Sequence, residues 1–239
     1  MSCGYIYVAS NSVGGMKEHN YVKEAVYSAK SLKKLCPNAK ITLFTDKELK
    51  EDIFDNIEYV DMSLRCKQNC LLKSPYEKTI LVDTDTCFNH SIEDLFDMLD
   101  KYELCACHCF SRKRKLQIPE YTKIPYAFSE INTGIVAFKK CDNFTNFANL
   151  WVKYYEKYKS VTPWDQPTGR VALWESGINV YILPAEYNRR HKGSKDKCVK
   201  LKKQGDNRFG EDHLKTRVYH FHGIEKMNKE TIENTAQVI

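Results

Sequence analysis

Apolar positions follow two alternating patterns along this chain, short continuous runs and stripes spaced by three and four residues. Tyr5 to Ala9 is a run that ends at Ser10-Asn11 and a Gly14-Gly15 loop. After it, Tyr21, Val22, Ala25, Val26, Ala29, Leu32 and Leu35 repeat at helical spacing. The run predicts a strand and the stripe a helix, which Cys36-Pro37-Asn38 stops. Ile41 to Thr45 and Ile57 to Val60 predict two more strands, and this alternation with a helix implies parallel pairing. Thr79 to Val82 reads as a buried strand running into Asp83-Thr84-Asp85. Ser91 and Asp94 then form a capping-box pattern ahead of Ile92, Leu95, Phe96 and Leu99.

The second half turns helical. Glu103 to Phe110 and Thr133 to Phe138 predict strands on either side of a polar stretch. Phe144, Phe147, Leu150, Trp151, Tyr154, Tyr155 and Tyr158 then recur as the core-facing stripe of a helix. A helix near Arg170 to Glu175 and strands at Val180 to Leu183 and Arg217 to Phe221 complete the order. The expected fold is α/β, one domain over residues 1–239 with a mostly parallel central sheet flanked by helices and no internal repeat.

Composition narrows the class without naming a function. With 239 residues, 42% hydrophobic and 28% charged, the chain is neither disordered nor collagen-like. Its apolar runs fall far short of a membrane span, and no charged-then-apolar leader opens it. Ten cysteines in such a chain suit reduced thiols and a cytoplasmic location. The formal charge of +6 suits phosphates, nucleic acid or anionic lipid without choosing among them. Residues 192–204, with six lysines, read as a basic surface loop, or else as a lid or docking surface for an anionic substrate.

Two clusters carry candidate chemistry. Cys105-Ala106-Cys107-His108-Cys109 looks metal-like, but its spacing is too tight for a zinc site, and strand alternation would put the three sulfurs on one face. Asp83-Thr84-Asp85 is stronger. Two carboxylates one residue apart, just beyond a strand's C-terminal end, can share a hard divalent cation that bridges a diphosphate, and that sheet edge is where open α/β folds bind ligands.

The segment Lys78 to Thr86 resembles the DxD segment of GT-A-fold glycosyltransferases, especially the family-eight enzymes typified by glycogenin and the bacterial lipooligosaccharide galactosyltransferases. The likeness extends along the chain. Asn20 to Ala25, with Ser31-Leu32 after it, is similar to the family's first helix, whose tyrosine, here Tyr21, lies against the nucleotide base. Lys67 precedes the DxD by the interval of a family lysine that reaches the donor. Asn132-Thr133-Gly134 resembles the segment holding the donor sugar, and Asp165-Gln166 the pair facing sugar and acceptor. Val218 to Lys226 resembles a His-Phe-x-Gly-x-x-Lys element in which His220 completes the metal site and Gly223 and Lys226 serve the diphosphate.

The resemblance implies a transferase that moves a sugar from a nucleotide-diphosphate donor, a UDP-sugar, to a hydroxyl of a glycan, protein or lipid acceptor, with retention. Asp83, Asp85 and His220 would hold Mn²⁺ or Mg²⁺; Tyr21, Lys67, Thr84, Gly223 and Lys226 would contact the donor; Asp165, Gln166 and Asn132 would act on the sugar. Compensating the charge of a leaving diphosphate calls for such a cation, and an imidazole beside two carboxylates suits Mn²⁺. Met227-Asn228 and Pro167 depart from the family pattern, the latter on the acceptor side.

Plainer roles stay open for several residues. Asp165 can cap the following helix, Asn132 can cap a turn, Tyr21 can be a half-buried helix aromatic, and His222 replaces His220 if the strand register is shifted. At the level of the whole protein, a haloacid-dehalogenase-type phosphohydrolase with Asp83 as nucleophile is the enzymatic alternative. A nucleic-acid-binding module using Arg112 to Lys115 and the lysines of 192–204 is the other, although no nucleic-acid-binding motif accompanies them.

Overall fold

The computed structural model describes residues 1–10, 20–61, 67–109, 118–162, 164–190 and 215–221. In chain order, β1 (Cys3–Ala9) leads to α1 (Tyr21–Leu35), β2 (Ile41–Thr45), β3 (Asn56–Tyr59), α2 (Lys67–Leu71), β4 (Lys78–Val82), β5 (Thr86–Phe88) and α3 (Asp94–Lys101). There follow β6 (Leu104–His108), α4 (Pro119–Lys123), β7 (Ile131–Lys139), α5 (Asp142–Tyr158), α6 (Gln166–Ser176), β8 (Val180–Leu183), a 3-10 turn over Ala185–Asn188, β9 (Arg189–Arg190) and β10 (Val218–His220).

The central sheet has seven strands in the order β3-β2-β1-β4-β7-β6-β8. β1 to β4 pair in parallel, as their alternation with helices implied, and β8 is parallel to β6. β7 alone runs antiparallel to both of its neighbours. It fills the gap left between β4 and β6, a direction that its own apolar run could not reveal.

Both faces of the sheet are covered, which is why its strands read as continuous apolar runs. Along β1, Tyr5, Tyr7 and Ala9 pack with Val22, Ala25, Ala29 and Leu32 of α1 and Leu95 and Leu99 of α3. Ile6 faces the other layer, where Phe144, Phe147 and Trp151 of α5 meet Ala172 and Leu173 of α6. The aromatic stripe on α5 is therefore core, as its spacing predicts.

Some boundaries differ from the sequence reading. Ser91 and Asp94 do not form a capping box: the Ser91 hydroxyl accepts from the Glu93 backbone N–H at 3.2 Å, and α3 starts behind Glu93. The helix expected near Arg170 begins earlier, at Gln166, with Pro167 in its first turn, where a missing N–H costs nothing. Beyond β6, Cys109 has its Sγ 3.7 Å from Gln166 Oε1, while Cys105 and Cys107 lie in the α1–α3 layer. Burial pushes the Cys105 thiol up to about 12, away from thiolate chemistry. The Gly14-Gly15 loop, Arg112 to Lys115 and residues 192–204 lie outside the described residues.

A second, three-stranded sheet, β5-β10-β9, grows from the loop that follows β4. β10 lies antiparallel to β5 and parallel to β9, with His220 opposite Thr86 and Arg190. This small sheet brings the C-terminal strand back to the Asp83–Asp85 turn.

Candidate functional site

Asp83 and Asp85 stand where β4 ends, and hydrogen bonds hold the turn from both sides. The Asp83 N–H donates to Gly134 O at 2.8 Å, and the Phe221 N–H donates to Asp85 O at 2.7 Å. Thr86 donates its hydroxyl to Asp83 O at 2.9 Å. Thr84 turns the other way, its hydroxyl donating to the buried Glu24 carboxylate of α1 at 3.0 Å. The two aspartates are left on the same side as His220, and one ligand atom from each of the three lies within 4.8 Å of the others.

The protonation of His220 follows from its neighbours. The Gly134 N–H donates to Asn132 Oδ1 at 2.9 Å, which identifies that atom as the carboxamide oxygen. Asn188 must then present Nδ2 to it, at 2.7 Å, and Oδ1 to His220 Nδ1, at 2.8 Å. An oxygen facing Nδ1 requires Nδ1 to carry the proton, so the neutral ring directs the Nε2 lone pair at the carboxylates. Nε2 lies 3.2 Å from Asp85 Oδ1 and 3.6 Å from Asp83 Oδ2. Burial of the ring opposes its charged form, yet Asp85 and Asp83 outweigh that and hold the imidazole above its ordinary value. Two carboxylates and an imidazole lone pair converging on one point are a donor set for a divalent cation, with the Nδ1–H fixed by a second residue as metal-binding histidines require.

Lys67, on the first turn of α2, completes the acidic side. Its Nζ donates to Asp83 Oδ1 at 2.8 Å and to Thr133 O at 3.4 Å, and lies 3.8 Å from Asp165 Oδ2. Asp165 occupies the N-cap position of α6, but its side chain makes no cap hydrogen bond. Its backbone carbonyl is anchored instead, by the Trp151 indole N–H at 3.0 Å and the Thr168 hydroxyl at 2.7 Å. The buried carboxylate thus has one oxygen, Oδ2, that accepts no hydrogen bond among the described residues and is ion-paired with Lys67. That arrangement favours a role in the cleft over the cap.

The structure therefore brings Lys67, Asp83, Asp85, Asn132, Asp165 and His220 together. Gln166 adjoins them next to Cys109. Tyr21 opens α1 one turn before Glu24, behind an Asn20 cap that accepts from the Lys23 N–H at 2.8 Å. Gly223, Lys226 and His222 lie outside the described residues. The sequence reading missed Asn188. It sits in a four-residue 3-10 turn after Leu183-Pro184, too short for any periodicity, and a buried amide following a strand end was its only signal.

No protein-family model matches the sequence, and no curated protein matches it. Solved structures do match. The galactosyltransferase LgtC, in complex with donor and acceptor sugar analogs, is 13% identical, with 98% of this chain and 94% of that chain covered and a TM-score of 0.64. The glycosyltransferase GlyE of Streptococcus pneumoniae TIGR4 is 14% identical, with 98% of this chain aligned to 60% of that one at a TM-score of 0.65. Mouse xyloside xylosyltransferase 1 is 12% identical, with 97% and 99% covered and a TM-score of 0.55. At such identities the likeness establishes the fold, and the chain has the GT-A fold that these glycosyltransferases share.

Proposed function

We propose that this protein is a metal-dependent glycosyltransferase that moves a sugar from a nucleotide-diphosphate donor, a UDP-sugar, to an acceptor hydroxyl. The observation that carries this reading is the convergence of Asp83, Asp85 and His220 on one point at the C-terminal edge of β4, in a GT-A fold. Mn²⁺ or Mg²⁺ held there would compensate the charge of a departing diphosphate. The protein's own groups do the rest. His220 offers a lone pair because Asn188 holds the Nδ1 proton. Lys67 fixes Asp83 and places a positive charge between the two acidic positions. Asp165, ion-paired with Lys67 and with an Oδ2 that accepts no hydrogen bond among the described residues, is suited to orienting the transferring sugar or the acceptor, together with Asn132 and Gln166. Thr84 serves by anchoring the turn to Glu24. Tyr21, Gly223 and Lys226 contact the donor by the family resemblance, which also supports retention of anomeric configuration.

The fold, shared with glycosyltransferases along nearly the whole chain, favours this reading over a phosphohydrolase with Asp83 as nucleophile. Among the described residues no helix is long and apolar enough to cross a membrane. The described cysteines are free thiols, which suits a reducing compartment such as the cytoplasm. The test is UDP release from a panel of UDP-sugars with Mn²⁺, by the wild type and Asp85→Asn. Release that needs both the metal and Asp85 is expected; phosphate release from sugar phosphates with a covalent adduct on Asp83 would move the protein to the other enzyme class.

A further inference from the structure

We infer that the acceptor carries an anionic group, a carboxylate or phosphate, which Arg190 recognises in a pocket beside the metal centre; this rests on the glycosyltransferase reading above. The pocket holds about 50 Å³ and is walled by Cys107, His108 and Cys109 at the end of β6, by Leu183 and Ala185 around the end of β8, and by Asn132, Asn188 and Arg190. Asn132 and Asn188 are the residues that fix His220, so the pocket and the proposed cation site share a wall.

Among the described residues of that lining, Arg190 is the one side chain that stays charged at every ordinary pH, and none is a carboxylate. Its Nε is buried and has no hydrogen-bond partner among the described residues. The preceding residue shows the contrast. Arg189, on the opposite face of β9, donates from Nη1 to Thr216 Oγ1 at 3.1 Å and lies over the Tyr219 ring at 5.6 Å. Arg189 is committed to the fold, whereas Arg190 lines the pocket and keeps a donor that no described residue uses. A part-buried guanidinium donor left unpaired costs stability unless a ligand satisfies it, and the planar fork of five N–H groups matches a carboxylate or phosphate two bonds at a time.

The position favours the acceptor over the nucleotide. The pocket walls come from the ends of β6, β7 and β8 and the turn after β8, on one side of β4 in the sheet. Tyr21 and Glu24 approach from α1, which packs over β1 on the other side of β4. An anion held by Arg190 thus sits next to the centre where the sugar would be transferred, and away from the helix assigned to the base.

The experiment compares methyl glucoside, methyl glucuronide and methyl glucoside 6-phosphate as ligands of the protein saturated with Mn²⁺ and UDP, by calorimetry or ligand-observed NMR. The wild type is expected to bind at least one of the two acids about 10- to 100-fold more tightly than the neutral glycoside. Arg190→Gln should erase that ratio, which cancels any loss common to all three ligands. Which acid binds distinguishes carboxylate from phosphate. Equal affinity for all three, no binding of either acid, or a preference that survives in Arg190→Gln would overturn the inference. So would a loss confined to UDP affinity, which would assign Arg190 to the diphosphate. Failure of UDP to bind with Mn²⁺ at the saturation step is read separately and counts against the glycosyltransferase reading itself.

Discussion

The imidazole of His220 lies so close to Gly134 that a methyl group at residue 134 would stand 2.4 Å from Nδ1 and 2.5 Å from Cε1. The contact joins β7, buried along nearly all its length, to the strand that delivers the third metal-site residue. Gly134→Ala must therefore displace the ring, since the alternative is a shift of a central strand. The variant should lose about 1–3 kcal/mol of stability and at least about 10-fold in Mn²⁺ affinity. Electron paramagnetic resonance of Mn²⁺ during titration reads the affinity. Unchanged binding would mean that His220 is not a ligand.

Asn188 is expected to act on the metal only through His220. Asn188→Asp keeps an acceptor for the Nδ1 proton but sets its second oxygen against Asn132 Oδ1, so it should cost stability yet hold Mn²⁺ better than a variant with no acceptor. Asn188→Leu releases the tautomer and should weaken binding by about 10- to 100-fold. Equal losses in the two variants would point to a packing role.

Asp165→Asn tests the acceptor side. The side chain makes no cap bond, so the substitution should cost less stability than the roughly 1 kcal/mol of a lost N-cap. Binding of the metal–nucleotide should persist while sugar transfer falls by about 100-fold or more. Near-normal turnover, followed as acceptor glycosylation or donor hydrolysis, would remove Asp165 from the chemistry.

Proton and cation compete at His220, and the two give opposite pH trends. Its value is raised in the folded protein above the ordinary 6.5, so in EDTA its contribution to stability is complete below the unfolded value and fades as pH rises through the folded one. Metal binding needs the neutral ring, so Mn²⁺ affinity should instead rise over that range. Thermal unfolding of wild type and His220→Asn in EDTA across pH 6 to 9 isolates the group. A difference between them that grows with pH in the wild type's favour would contradict the sign.

Ile41–Thr45 and Val180–Leu183 fill their predicted strands: the first is buried throughout and takes threonine as its only polar residue type, the second is a half-buried but wholly apolar edge strand, and turn residues bound both. The length of α1 was equally legible, since its stripe faces a single layer and Cys36-Pro37 follows. Thr86–Phe88, Arg189–Arg190, Lys67–Leu71 and Pro119–Lys123 escaped: two to five residues span too little of any period, and tertiary pairing makes them regular. The antiparallel setting of β7 escaped for a different reason, because strand direction depends on which gap in the sheet is vacant. At the site, Asp83 and Asp85 were legible from the strand before them, and Lys67, Asn132, Asp165 and His220 through the resemblance. Asn188 and Arg190 were not legible, because nothing in a turn-bound amide or a paired Arg-Arg tells which side chain turns inward.

The central claim is that Asp83, Asp85 and His220 hold a cation that in turn holds a nucleotide diphosphate. Titration calorimetry of UDP into the full chain, once with Mn²⁺ and once with EDTA, tests it most directly. Binding with Mn²⁺ that disappears in EDTA and in Asp85→Asn is the expected result; equal UDP affinity with and without the metal would contradict it.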